Sequence, residues 1–200
     1  MDRRSSPFDS PSPATVAPQP AGTGLLFLRE EEMRLAQDLF FFAYRDLTAA
    51  ADTILEEFDL GRAHHRALHF IGRRPGISVT ELLSVLGITK QSLTRVLAEL
   101  VSRGLVAQLQ GAADRRQRLL SLTADGQSLE RRLFEQQRQK MVAAYREAGG
   151  VAVEGFRRVM QGVMDAETRR RLEAAEAAPR RQAPDRQASD RQAPKGQGKA

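Results

Sequence analysis

The side chains best suited to chemistry in this chain are an amide and a guanidinium one helical turn apart, Gln91 and Arg95, and the run Asp114-Arg115-Arg116-Gln117-Arg118. Gln pairs bidentately with the adenine edge and Arg with guanine, so an exposed helix face carrying both can read base pairs in a major groove. Lys90, Ser92 and Thr94 lie near the N-terminus of the same stretch, where free amides and the helix dipole favour phosphate oxygens. Arg115 and Arg116, at a loop tip, suit a narrow minor groove with its concentrated negative potential. Asp114 would be repelled by phosphates, and its expected part is to orient Arg116 or Arg118 through a charge-assisted hydrogen bond. Arg118 is either a DNA contact or a structural residue.

The elements that must position these groups are legible from periodicity. Between Lys90 and Arg103, the residues Leu93, Val96, Leu97 and Leu100 fall at i, i+3, i+4 and i+7, which turns Gln91, Arg95, Ala98 and Ser102 to the opposite face. Glu99 and Ser102 read as an ordinary solvated face. Thr89 is the expected N-cap, and Ile88 and Leu93 have the spacing of a hydrophobic staple. Just before it, Ser78-Val-Thr-Glu81 forms a capping box ahead of a helix with Val79, Leu82, Leu83 and Leu86 on one stripe, closed by Gly87. After Gly104, the segments 105–110 and 118–122 alternate as strands around a basic loop. Two short capped helices followed by a β-wing predict a winged helix-turn-helix over about residues 62–122, within a mainly α fold.

Its flanks read as helices. One from about Arg29 to Phe58 carries Met33, Ala36, Phe40, Ala43, Leu47 and Ile54 with the cluster Leu39-Phe40-Phe41-Phe42. A second, Arg62 to Arg73, is stopped by Pro75. Thr123 caps a long helix to about Ala148, interrupted at Gly149-Gly150, and a last helix places Phe156, Val159, Met160 and Val163 at helical spacing. These terminal helices, about 25–60 and 123–177, have apolar stripes with little core to bury them, so a partner subunit is expected to cover them. Residues 1–24, with five prolines, and residues 178–200, with the repeats Arg181-Gln-Ala-Pro-Asp and Arg186-Gln-Ala-Ser-Asp, are expected to be disordered tails around a single domain, 25–177.

Charge is unevenly divided. The net charge of +6 resolves into −6 over residues 1–60, +7 over 61–123, +1 over 124–177 and +4 over the tail. The positive charge gathers where the helix-turn-helix lies, as a polyanion partner requires. With no cysteine, disulfides, thiolate metal sites and thiol catalysis are excluded. No apolar run reaches the roughly 20 residues of a membrane span, which points to a cytoplasmic, nucleoid-associated protein without membrane contact. Paired carboxylates, a nucleophile with a base and a Gly-rich phosphate loop are all lacking at useful spacing, so neither an enzyme nor a cofactor is expected.

Three histidines, His64, His65 and His69, share one helix. His65 and His69 are at i, i+4, but two ligands do not make a zinc site and no metal is expected. One or two of them line a dimer junction or effector cavity, where a titrating imidazole could meet an acidic ligand, or they are partly buried structural residues. Phe40 and Tyr44 are candidate walls of the same cavity, or else part of a core or dimer interface.

The wing motif Asp114-x-Arg116-x-Arg118, followed by Leu122-Thr-Ala-Asp-Gly126, resembles the MarR family of bacterial transcriptional regulators. The segments 75–83 and 97–105 are similar to the family's pattern around the two helices, and the resemblance spans about residues 28–165. It implies an obligate homodimer held by N- and C-terminal helices, with one winged domain at each lower corner, bound to double-stranded DNA. Family members mostly repress, and many release DNA on binding small, often aromatic, acids between the dimer helices and the winged domain. The expected function is therefore a sequence-specific dimeric regulator at a pseudo-palindromic operator, with Thr89, Lys90, Gln91, Ser92, Thr94, Arg95 and the wing residues at the DNA. The rival is an architectural DNA-binding protein with little sequence preference.

Overall fold

The computed structural model describes residues 26–111 and 117–177, and the chain divides into two compact units between Tyr44 and Arg45. The expected tails, 1–24 and 178–200, lie outside the described residues, as do Asp114, Arg115 and Arg116 at the wing tip.

In the N-terminal unit, a 3-10 turn, Leu26–Leu28, leads into α1, Glu30–Ala49, which continues into the second unit. Glu30, Glu31 and Glu32 occupy the first turn of α1, where carboxylates complement the dipole. No residue of α1 is buried. Leu35, Leu39, Phe40, Phe41, Phe42 and Tyr44 are all exposed.

The second unit continues with α2 (Asp52–Glu57), α3 (Arg62–Arg73), β1 (Ile77–Ser78), α4 (Val79–Leu86), α5 (Lys90–Ser102), β2 (Val106–Gln110), β3 (Arg118–Leu122), α6 (Ala124–Val163) and α7 (Ala166–Ala177). The strands form an antiparallel sheet in the order β1-β3-β2, with Ile77 opposite Leu120 and Val106 opposite Leu122. Leu55, Leu68, Ile71, Leu82, Leu93 and Leu120 are among the fully buried side chains, so one core joins α2 to α5 with the sheet. Among the described residues, no helix is long and apolar enough to cross a membrane.

The structure departs from the sequence pattern at two places. The helix expected from Arg29 to Phe58 is broken between α1 and α2. Thr48 Oγ1 bonds back to the Arg45 carbonyl at 2.9 Å, the Ala51 amide closes a tight i to i−3 turn on the Thr48 carbonyl, and Ala51 is buried in the core at 0% exposure. Ser78, expected only as a cap, also pairs as the last residue of β1. The interruption at Gly149 is present, with φ 77° and ψ 164° inside α6. Beyond α6, Asp165 caps the separate α7 by accepting from the Thr168 amide at 2.7 Å.

Candidate nucleic-acid interface

The capping box holds α4 as its sequence requires: Ser78 Oγ accepts from the Glu81 amide at 3.2 Å, and Glu81 Oε2 accepts from the Ser78 amide at 2.8 Å. Gly87 then adopts the left-handed conformation, φ 61°, that ends α4 and permits the short turn into α5. Thr89 Oγ1 caps α5 by accepting from the Ser92 amide at 3.2 Å. Leu93, Val96, Leu97 and Leu100 are buried, while Gln91, Arg95, Ala98 and Ser102 are exposed, so the helix presents the face read from its periodicity.

The polar residues on that face differ in freedom. Thr89 Oγ1 and Ser92 Oγ bond each other at 2.9 Å, and Thr94 Oγ1 donates to the Lys90 carbonyl at 2.8 Å. These hydroxyls therefore stabilise the first turns of α5. Lys90, Gln91 and Arg95 are exposed and make no side-chain hydrogen bond or ion pair with any described residue. Gln91 and Arg95 stand one turn apart, ready for hydrogen bonding outward.

The wing is the β2–β3 hairpin, narrowed before its tip by the Gly111 amide donating to the Gln117 carbonyl at 2.9 Å. Arg118 is exposed on β3 and donates from Nη1 to Gln108 Oε1 at 3.2 Å, a diagonal contact across the strands. At the far end of the hairpin, Thr123 Oγ1 accepts from the Gly126 amide at 3.0 Å and donates to the Gly104 carbonyl at 2.6 Å. One hydroxyl thus caps α6 and ties it to the turn that ends α5.

Glu99, read as solvated, is not free. It accepts from Arg103 Nη2 at 2.6 Å through one oxygen and lies 2.9 Å from His64 Nε2 through the other. The Arg103 guanidinium, then the His64 ring, holds its carboxyl below the usual glutamate range. The Glu99–Arg103 pair is visible as an i, i+4 spacing, but its link to His64 on α3 is a tertiary contact with no local signal.

His65 is buried among core residues at 8% exposure, which suits the structural reading. His69 is half-buried, its Nδ1 3.9 Å from Glu130 Oε1. Burial, then the Arg73 charge, pushes its pKa down to about 4, while burial pushes Glu130 up. Among the described residues, no group of three His, Cys, Asp or Glu side chains is placed to hold a metal. Phe40 and Tyr44 belong to the N-terminal unit. An open groove of about 690 Å³ between α2 and α6 is lined by Thr53, Glu57, Ser128, Arg131 and Arg132 among others, and by none of the four candidate effector residues.

Comparison with known proteins bears directly on this arrangement. The family model described as "MarR family" matches residues 58–117. The chain is 53% identical to the HTH-type transcriptional regulator PetP of Rhodobacter capsulatus over 159 residues, 80% of this chain and 96% of PetP. Among solved structures, a crystal structure of MarR aligns with a TM-score of 0.55 at 22% identity, covering 69% of this chain and 92% of that one. The S. aureus MepR–DNA complex aligns with a TM-score of 0.51 at 20% identity, covering 63% and 93%. With the helix-turn-helix, the wing and a relative matched over nearly its whole length, the chain belongs to the MarR family.

Proposed function

We propose that the protein is a DNA-binding transcriptional regulator that reads a pseudo-palindromic operator as a homodimer. The observation that carries this reading is the pair Gln91 and Arg95 on α5, exposed and without a side-chain partner among the described residues, above a buried opposite face. In a helix-turn-helix the second helix lies in the major groove, where these two residues bond base edges while Lys90 and the turn around Thr89, Ser92 and Thr94 meet phosphates. The wing supplies a minor-groove anchor through Arg115 and Arg116, with Asp114 orienting a neighbouring arginine and Arg118 steadied by Gln108. Both PetP, a transcriptional regulator by name, and MepR, seen with DNA, support the reading.

The regulator represses by occupying its operator, in the nucleoid, and a small aromatic acid releases it. Dimerisation is supported by α1, which buries none of its residues and exposes Leu39, Phe41 and Tyr44. Of the candidate effector contacts, Phe40, Tyr44 and His69 have accessible surface, whereas His65 is closed into the core.

Selection of bound duplexes from a random pool by the full-length protein, with and without candidate aromatic acids, tests this function. A regulator enriches two-fold-related half-sites spaced by about one helical turn, ~10 bp, and keeps them under excess bulk DNA. An architectural protein enriches nothing and is competed away equally by any duplex.

A further inference from the structure

The guanidinium of Arg103 fastens the C-terminal end of α5 to the corner between α2 and α3. That corner is a Schellman motif: the Leu60 amide donates to the Leu55 carbonyl at 2.8 Å and the Asp59 amide to the Glu56 carbonyl at 3.0 Å. Asp59 takes the left-handed position, φ 48°, that glycine usually fills. The motif leaves the carbonyls of Phe58 and Asp59 pointing away from their own helix. Arg103 takes both, Nη1 donating to Phe58 O and Nη2 to Asp59 O at 3.3 Å. Its Nη2 also donates to Glu99 Oε1 at 2.6 Å, so the side chain is braced against α5 itself.

The brace extends to α3. His64 Nδ1 accepts from the Gly61 amide at 3.0 Å, so its ring proton sits on Nε2 and faces Glu99 Oε2 at 2.9 Å. One carboxylate therefore gathers a guanidinium and an imidazole N–H, joining the end of α2, the start of α3 and the last turns of α5. Apolar packing on the buried face of α5 is non-directional, whereas hydrogen bonds to backbone carbonyls fix orientation as well as distance.

We propose that Arg103 is a positioning residue for DNA recognition: by capping the carbonyls of Phe58 and Asp59 while braced by Glu99, it fixes the tilt of α5, sharpening operator discrimination without touching DNA. The inference rests on base reading by α5. Bidentate base contacts require placement within about half an ångström, while flexible phosphate contacts tolerate more. Loosening the clamp therefore weakens operator binding selectively.

The test uses full-length wild type, Arg103→Lys and Glu99→Gln, each titrated with selected operator and with scrambled duplex at one salt concentration, at a temperature where circular dichroism shows them folded. Lysine keeps the charge but cannot bridge two carbonyls and a carboxylate, so non-specific attraction is preserved. Arg103→Lys should lower the operator-to-scrambled ratio about tenfold, the scale of one weakened base contact, with scrambled affinity unchanged. Glu99→Gln, which keeps the carbonyl caps, should lower it less, and it decides the question if Arg103→Lys does not fold. A wild-type preference that both variants retain overturns the clamp alone. No preference in the wild type overturns base reading, and the clamp's role with it.

Discussion

A Cβ on Gly126 would lie 2.0 Å from the carbonyl oxygen of Leu105. The first turn of α6 presses directly onto the backbone at the start of the wing, and the same Leu105 carbonyl accepts from the Thr123 amide at 3.1 Å. The Leu122-Thr-Ala-Asp-Gly126 step thus has a physical meaning: Thr caps the helix and grips the turn after α5, and Gly lets the helix approach. Gly126→Ala forces backbone apart and should cost about 3 kcal/mol, the upper end for overpacking. Urea unfolding measures it, and a midpoint equal to wild type would mean that the close approach is not held in solution.

His69 should make stability depend on pH. Its folded pKa of about 4 lies below the ordinary 6.5 because burial, then Arg73 and His65, disfavour the imidazolium. Below pH 6.5 the unfolded chain takes up a proton that the folded chain refuses, so this contribution to stability declines as pH falls from 6.5 towards 4. Substitution by Gln should flatten that part of the pH profile, and the His69 proton resonances should titrate near pH 4. A midpoint near the ordinary value would contradict the burial.

The exposed face of α1 should govern assembly. Leu39 and Phe41 are 61% and 64% exposed, and leaving such side chains in water forfeits roughly 1.5 to 3 kcal/mol each. Leu39→Glu should shift sedimentation from dimer towards monomer and weaken operator binding, since one half-site then binds alone. A variant that stays dimeric would move the interface away from this face of α1.

The residues on α5 show how far a linear reading reaches. Period and caps are local, so the buried set Leu93, Val96, Leu97 and Leu100, the Ser78 and Thr89 caps and the Gly87 turn were all visible in the amino acids. The break at Ala50–Ala51 was not, because alanines favour helix and the turn is decided by burial of Ala51. Glu99 reads as a solvated position because its contact with His64, 35 residues away in sequence on a different helix, leaves no local signal. The short strand β1 has no local signal for the same reason: two residues, Ile77 and Ser78, become a strand only through β3.

The most direct test of base reading by α5 is an anisotropy titration of wild type and Arg95→Ala against the selected operator and a scrambled duplex at fixed salt. Loss of one bidentate base contact should reduce the operator preference by roughly 1 to 3 kcal/mol, with only a small loss on scrambled DNA. Equal weakening on both duplexes would reduce Arg95 to a phosphate contact and contradict sequence reading through this face.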